Sequence, residues 1–299
     1  MKAFEWITVA KAGSVVKVAL FSDTHVDNPE CDIEKLKADM AFCKKEGRYM
    51  IFDGDTIDGI LLGDRKRAAA HLITNTDNQL NIKLQQLYEL FKPFQEYILF
   101  FGRGNHEESI LKYNGLDVLE MLTTMLNMGQ EHKILYGNYA NFLRFTFKEA
   151  GKNRREYHYD IFAHHGAGGS APATKGMLDF GALTKAVNAD LIWIGHKHNA
   201  LVDFSAPVMH IDRNGDVVFK NRQCIETPSY QKPRSMDYNV NFPERFYGNP
   251  ALPGFGILNL RCVSTKDKGY QIIPEVTIST MPRLAIGSVQ SSELKLKGR

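Results

Sequence analysis

The sequence has few cysteines and no long apolar run. Its four cysteines, in 299 residues, show neither CxxC spacing nor the density of a disulfide framework, which argues against a disulfide scaffold and a cysteine zinc site. The longest apolar runs fall far short of the ~20 residues that a membrane-spanning helix needs, so we expect no membrane partner. The first residues carry charge at Lys2 and Glu5 and lack a signal-peptide core. We therefore expect a reducing, cytoplasmic compartment.

The chain also lacks a strong excess of charge of either sign. Its formal net charge of +3 at pH 7 is too small to decide whether the partner is an anion. Hydrophobic residues at 43% and charged residues at 24% are ordinary for a soluble globular protein. The sequence has no internal repeat and no low-complexity segment, so composition leaves the function and the oligomeric state open.

The first two thirds of the chain alternate short apolar runs with longer amphipathic stretches, which predicts an α/β layered fold. The predicted strands are 15–21, 49–52, 97–101, 157–163 and 191–194. The predicted helices are 33–45, about 78–91, 116–127 and 178–187. After about residue 200 the pattern is β-rich with long loops, and the segment 228–253 has the aromatic content of an ordered cap.

Each predicted strand is followed by side chains that can bind metal. In chain order they are Asp23 and His25, Asp55 and Asp58, Asn105 and His106, His164 and His165, and His196 and His198. Because the carboxyl ends of strands in an open α/β sheet converge on one crevice, we expect these sets to meet in space. Carboxylate, amide and imidazole ligands suit manganese, iron or zinc better than calcium.

This set of ligands is too large for one ion. It exceeds the four ligands of a tetrahedral zinc site, so we predict two divalent ions that share one carboxylate. Asp23 and Asp55 neutralise only part of the charge of two such ions, which leaves a centre that attracts phosphate. Two ions ~3.5–4 Å apart would lower the pKa of a bridging water to give a hydroxide, and would hold the phosphoryl oxygens. The sequence therefore predicts a two-metal phosphoester hydrolase.

The order DxH, GDxxD, GNHE, H and GHxH resembles the calcineurin-like metallophosphoesterase superfamily over about residues 15–200. The resemblance implies a four-layer α-β-β-α sandwich with two mixed sheets and a metal site at the carboxyl ends of the strands. We accordingly predict a metallophosphoesterase domain over 1–270, with its motifs in 1–200 and a β-rich return and aromatic cap in 201–270. A C-terminal extension over 271–299 follows, and its tail from about Gly287 is polar and basic.

The resemblance also implies which residues bind the ions. The implied ligands are Asp23, His25 and His198 for the first metal, the bridging Asp55 for both, and Asn105, His196 and either His164 or His165 for the second. Relatives whose ligand directly precedes a glycine match His165, and relatives with His-His-Pro match His164. Because Gly166 follows here, we favour His165. Manganese is the favoured ion, with iron, zinc or nickel as alternatives.

By the same resemblance, His106 contacts the substrate and protonates the leaving oxygen, and Asp58 orients it. A carboxylate on one imidazole nitrogen raises the basicity of the ring and fixes the tautomer that faces the substrate. Lys197 lies between two predicted ligands, and we expect it to face solvent.

Three functions are compatible with these motifs: a phosphodiesterase or nuclease, a phosphomonoesterase such as a protein phosphatase, and a non-enzymatic scaffold. The scaffold is disfavoured because no ligand position is vacant. Protein serine/threonine phosphatases follow GDxxD with an arginine, but this chain has Gly59 there, and a monoester carries about one more negative charge than a diester. We therefore expect a phosphodiesterase.

A nuclease is the leading specific form, which makes nucleic acid a candidate substrate beside smaller phosphoesters. Arg65 and Arg67 are candidate contacts to a phosphate backbone, although a solvated helix start explains them equally well. Glu107 stands where the DNA-repair nucleases of the superfamily usually have an aspartate, which is a departure from that form.

Overall fold

The structure, a computed structural model, describes residues 1–59, 79–151, 155–168, 177–204, 207–211, 215–232, 252–266, 269–280 and 297–298. The described helices are α1 Ile33–Lys45, α2 Gln79–Phe91, α3 Asn105–Asn114, α4 Val118–Asn127 and α5 Met177–Ala186, and a 3₁₀ helix, Lys92–Tyr97, follows α2. The described strands are β1 Lys2–Val9, β2 Val15–Phe21, β3 Tyr49–Asp53, β4 Ile98–Gly102, β5 Leu135–Tyr136, β6 Ala140–Lys148, β7 Glu156–His164, β8 Leu191–Ile194, β9 Leu201–Asp203, β10 Val208–Ile211, β11 Val217–Lys220, β12 Gln223–Glu226, β13 Phe255–Ser264, β14 Tyr270–Ser279 and β15 Lys297–Gly298.

Two mixed sheets contain most of these strands. The six-stranded sheet has the order β14-β13-β2-β3-β4-β5. Strands β2 to β5 run parallel to one another, and β13 is antiparallel to both of its neighbours, β2 and β14. The seven-stranded sheet has the order β15-β1-β6-β7-β8-β12-β9, in which β7, β8 and β12 run parallel. Strands β10 and β11 form a separate antiparallel pair.

The two sheets pack face to face, and helices cover their outer faces. The core between the sheets contains Trp6 and Trp193 from the seven-stranded sheet and Ile51 and Phe100 from the six-stranded sheet. A second core joins the six-stranded sheet to α1, α2 and α4, and a third joins the seven-stranded sheet to α5 through Phe180. Burial of these large apolar side chains is the main force that holds the layers together. The predicted four-layer α-β-β-α fold is confirmed.

The ends of the helices follow from local sequence. Helix α1 begins after Asp32, whose carboxylate accepts a hydrogen bond from the backbone N–H of Lys35 at 3.2 Å. Helix α3 begins at Asn105, directly after β4, and ends at Gly115, whose φ of 68° stops the helix. The first turn of α3 therefore displays Asn105 and the following His106 at the carboxyl end of β4.

All the predicted strands and helices are present, with ends within two residues of those predicted. Strands β1 and β6, which pair in parallel over their full lengths, are not predicted by the sequence pattern. Polar side chains such as Glu5 and Arg144 alternate with their apolar residues, and this is a weaker signal than the continuous apolar runs of the other strands. None of the helices in the described part of the chain has the length and apolar character that a membrane crossing requires.

The predicted division of the chain at residue 270 stays a prediction. Strand β14 begins at this residue and pairs along its length with β13, as the outer strand of the six-stranded sheet. Of the aromatic residues assigned to the cap, Tyr230 is buried and stacks on Phe21, with ring centroids 6.0 Å apart. Tyr230 is therefore a core residue, and residues 233–251 of the cap lie outside the described residues.

Candidate metal centre

The five predicted sets of residues lie at the carboxyl ends of β2, β3, β4, β7 and β8. The first three strands belong to the six-stranded sheet, and the last two belong to the seven-stranded sheet. The register brings neighbouring strand ends level with one another, because Phe21 pairs with Phe52 and Asp53 pairs with Gly102. The five loops therefore meet at one edge of the sandwich and draw on both sheets.

Asp23, His25 and His198 form a first cluster. Their candidate ligand atoms lie within 4.8 Å of one another, and Asp23 Oδ1 is 3.4 Å from His198 Nε2. Both carboxylate oxygens of Asp23 also accept the backbone N–H of His196, at 3.0 and 2.9 Å, which joins the first loop to the fifth. The cluster has the three members predicted for the first metal.

Asp55, His165 and His196 form a second cluster with the same 4.8 Å limit between ligand atoms. His165 Nε2 lies 3.0 Å from Asp55 Oδ2 and 3.2 Å from the side-chain oxygen of Asn105. Asn105 therefore adjoins this cluster, which brings together the residues predicted for the second metal and its bridge.

The two neighbouring histidines of the fourth loop make different contacts. His165 is fully buried and lies in the second cluster. His164 is partly exposed, and its Nδ1 accepts the backbone N–H of Gly166 at 2.9 Å. The ring of Tyr139 lies 5.4 Å from each imidazole. Of the two, only His165 places a candidate ligand atom in a cluster of the described residues, and its role as a ligand stays a prediction.

His106 lies beside both clusters and forms a third group with His25 and Asp55, in which the candidate ligand atoms also lie within 4.8 Å of one another. Its Nε2 is 3.8 Å from Asp55 Oδ2, and its Nδ1 is 2.6 Å from the backbone oxygen of Asp58 and 3.3 Å from Asp58 Oδ1. Because a carbonyl oxygen can only accept, Nδ1 carries a proton in this contact. The Asp58 carboxylate also lies 3.2 Å from His25 Nδ1. Asp58 thus holds His106 most closely through its backbone carbonyl, with its carboxylate between two imidazoles.

The backbone is strained at these ligands. Among the described residues, the non-glycine residues with positive φ are Asp23, His25, Asp55, His196 and His198, with φ between 44° and 69°. This region brings Cβ close to the carbonyl oxygen and costs about 1–3 kcal/mol per residue. All five residues are predicted ligands. Strain concentrated on one set of side chains indicates that their placement serves a function.

At this site, buried carboxylates and imidazoles oppose the pKa shifts that burial alone would cause in one another. Burial would raise the pKa of Asp23, but His165 and His198 outweigh it and lower that pKa to about 2. Burial would lower the pKa of His165, but Asp55 and Asp23 raise it to about 10. Asp58 likewise raises the pKa of His25 to about 9 against the effect of burial. The carboxylates therefore stabilise positive charge on the neighbouring imidazoles. Because a metal ion would compete with protons for these imidazoles, we expect metal binding to strengthen as the pH rises.

The donor set fits divalent metal ions. It combines carboxylate, amide and imidazole groups, and His25 Nε2 is buried with no hydrogen-bond partner among the described residues. Such mixed oxygen and nitrogen donors suit borderline divalent ions.

Glu107 makes contacts at the site that the sequence does not reveal. Its buried carboxylate accepts the backbone N–H groups of Asp55 at 3.0 Å, Ile57 at 3.1 Å and Gly104 at 2.8 Å. The carboxylate therefore holds the second loop against the start of α3. Its place after His106 in the third motif is the only signal that the sequence offers for this role.

Two expectations about basic residues have different outcomes. The prediction that Lys197 faces solvent is wrong, because its side chain is 6% exposed and its ammonium pairs with Asp179 on α5. The long aliphatic part of the side chain allows the ammonium to reach α5 instead of solvent. Arg65 and Arg67 lie outside the described residues.

Two loop glycines leave no room for a side chain. A Cβ at Gly54, which has a φ of 83°, would overlap His165 Nδ1 and lie 2.8 Å from Gly104 Cα. A Cβ at Gly104 would overlap the carboxylate of Asp55. These glycines allow the loops that carry the ligands to approach one another closely.

Gly54→Ala is therefore expected to destabilise the protein by about 2 kcal/mol or more and to weaken metal binding, because it adds both strain and overlap at His165. Urea unfolding and manganese titration would measure the two effects. Gly13→Ala is the matched control, since Gly13 has a φ of 79° but nothing within 4 Å of its added Cβ. Equal losses in both variants would show that strain alone matters and that the contact with His165 does not.

The fold and the clustered ligands together define a class, the metal-dependent phosphoesterases. Residues 16–200, more than half of the chain, match the family model of the calcineurin-like phosphoesterases, and the chain belongs to this family. No curated protein matches in sequence.

Several solved structures are similar at low identity. Vps29 of Chaetomium thermophilum is 8% identical, with a TM-score of 0.30 over 90% of this chain and 98% of that chain. GAP50, the anchor in the inner membrane complex of Plasmodium, is 13% identical, with a TM-score of 0.43 over 88% of each chain. TM1076 of Thermotoga maritima is 12% identical, with a TM-score of 0.29 over 87% of this chain and 98% of that chain.

Proposed function

We propose that this protein is a two-metal phosphodiesterase. The proposed ligands are Asp23, His25 and His198 for one ion, Asn105, His165 and His196 for the other, and Asp55 for both. The observation that supports this arrangement is the pair of adjacent three-residue clusters, whose ligand atoms lie within 4.8 Å of one another. When bound, two divalent ions would supply an activated water and positive charge for the phosphoryl oxygens.

The preference for a diester is supported by the absence of an added cation at the position of Gly59. Gly59 has a φ of 61°, and a Cβ there would overlap the buried side chain of Ile110. Its backbone N–H donates to Asp27 at 3.1 Å, which holds this turn in place. At this position the protein therefore offers no arginine to offset the second negative charge of a monoester dianion.

Two basic side chains near the loops, among the described residues, form ion pairs with protein carboxylates. Arg103, which precedes the third motif, lies 2.5 Å from Asp117 and also contacts Tyr136. Lys83 of α2 pairs with Asp27, which in turn accepts the backbone N–H of Gly59. Because both cations are paired with protein carboxylates, they do not add positive charge for a substrate, which supports a substrate of lower negative charge.

His106 is the proposed proton donor to the leaving oxygen. The Asp58 carbonyl holds the proton of Nδ1, so Nε2 is the nitrogen left to face the substrate on the side of Asp55. A protonated Nε2 can give its proton to an alkoxide that would otherwise leave with a full negative charge. The Asp58 carboxylate stabilises the positive ring that this step requires.

Hydrolysis of two nitrophenyl esters tests the proposal. With added manganese, kcat/KM for bis-p-nitrophenyl phosphate is expected to exceed that for p-nitrophenyl phosphate by more than about tenfold, equivalent to about 1.4 kcal/mol of preference. A preference for the monoester would overturn the diester assignment. No turnover of either ester with any divalent ion would overturn the enzymatic function.

A nuclease is the specific form that we favour among phosphodiesterases. The aromatic-rich and basic segments of the sequence motivate this form, because such residues can stack on bases and contact phosphates. Of the aromatic residues, Tyr230 is buried and does not offer a stacking surface. Degradation of single-stranded or duplex DNA or RNA by the wild type, and its loss in Asp55→Ala, would support this form. Hydrolysis confined to small diesters would exclude it.

A further inference from the structure

The side chain of Lys197, in the fifth loop, interacts with two carboxylates. Its ammonium pairs with Asp179 of α5, and its side chain is 6% exposed. Glu226, at the carboxyl end of β12, is also buried, and the charge of Lys197 counteracts the rise in its pKa that burial causes. One Glu226 oxygen accepts from Asn199 at 3.4 Å, and the other has no hydrogen-bond partner among the described residues.

The backbone around Lys197 is held in an unusual conformation. His196 and His198, on either side, have φ values of 69° and 55°. Between them, the backbone N–H of Lys197 donates to Gly195 at 2.8 Å, which makes a tight turn. A turn with two residues in the left-handed region persists only when surrounding contacts offset its backbone strain. Lys197 lies between these two left-handed residues, and its ammonium pairs with Asp179 of α5.

We propose that Lys197 is a positioning residue for the metal centre. Its ammonium ties the fifth loop to α5 through Asp179, and this tether sets the direction of the imidazoles of His196 and His198. The inference rests on the proposed metal site and extends it to α5, which contributes no ligand. Mutation of residues that orient the ligands of a metal site typically lowers metal affinity by about 10–100-fold.

The test is Lys197→Met, with cobalt(II) as the metal. The variant is expected to bind cobalt about 10–100-fold more weakly than the wild type, with a changed visible absorption spectrum, because the two imidazoles lose their common anchor. Lys197→Arg keeps the charge and is expected to restore most of the affinity. Asp179→Asn should weaken binding on its own and add little to Lys197→Met, since both remove the same contact.

Two further variants separate positioning from a general loss of stability. Lys220→Met is the control, because it removes another lysine–aspartate pair, 2.6 Å from Asp190 at the amino end of β8, and should leave cobalt binding unchanged. Lys197→Met with Glu226→Gln removes the buried carboxylate that the first change leaves without its cation. Urea unfolding of the metal-free double variant should show regained stability, while its cobalt affinity stays low.

The outcomes distinguish the possibilities. Unchanged affinity and spectrum in Lys197→Met would overturn the positioning role. Recovery of affinity in the double variant with Glu226→Gln would show that Lys197 only neutralises a buried charge, and would overturn the tether. Failure of the wild type to bind cobalt would overturn the proposed metal site itself.

Discussion

Asp55→Asn is expected to lower phosphodiester turnover roughly 10³-fold or more, since metal ions contribute several kcal/mol of transition-state stabilisation and each tenfold in rate is about 1.36 kcal/mol. Asp55 belongs to two clusters, one with His165 and His196 and one with His25 and His106. Burial would raise its pKa, but His165 and His106 hold that pKa well below its ordinary value, so the group is charged. Asparagine keeps the shape and removes this charge.

Turnover of bis-p-nitrophenyl phosphate and metal content by elemental analysis would measure the effect of Asp55→Asn. Asp160→Asn provides a control of the same chemistry, because Asp160 pairs with Arg144 at 2.7 Å on the exposed face of the seven-stranded sheet. Retention of full activity and of two ions by Asp55→Asn would contradict the bridging role.

His106→Ala is expected to slow diesters with poor leaving groups by about 10²–10⁴-fold, the usual contribution of a general acid. Nitrophenyl esters should be slowed much less, because nitrophenolate leaves without a proton. Metal content should stay intact, since His106 contacts Asp55 at 3.8 Å but is not a proposed ligand. Rates for an alkyl diester and a nitrophenyl diester, with metal analysis of both proteins, would measure this difference.

His158→Ala serves as the control for His106→Ala, because His158 lies on β7 outside the metal-binding clusters. Its Nδ1 is hydrogen-bonded to the Thr146 hydroxyl at 2.9 Å. An equal loss for both leaving groups would argue that His106 binds the substrate and does not protonate it. Loss of metal from His106→Ala would instead place His106 among the ligands.

The convergence of the candidate ligands could be predicted because each of them follows a strand whose apolar run is visible in the sequence. The strands that carry Asp23, Asp55 and Asn105 are short, buried and apolar, so their ends are well defined. The choice of His165 over His164 depended on a family comparison, because two adjacent histidines at a strand end look alike in sequence. Only their contacts in three dimensions distinguish them.

Residues that act through the backbone could not be predicted. Glu107 accepts three backbone N–H groups that are up to 52 positions away, and backbone donors leave no trace in a sequence. The closest partner of His106 is likewise a carbonyl oxygen, where the sequence indicated the Asp58 carboxylate. The prediction for Lys197 is wrong for a related reason. Its partner lies on α5, and nothing in either segment indicates that the two pack together.

The division of the site between the two sheets has a consequence for how the molecule holds together. The six-stranded sheet supplies Asp23, Asp55 and Asn105, and the seven-stranded sheet supplies His165, His196 and His198. In the proposed arrangement, ions shared between these groups would link the two sheets, because neither sheet alone supplies a complete set of ligands. An ion that binds only the closed sandwich stabilises it by about 2.7 kcal/mol at a concentration one hundred times its Kd. The supply of metal would then govern how firmly the two halves stay joined, as well as whether the chemistry can proceed.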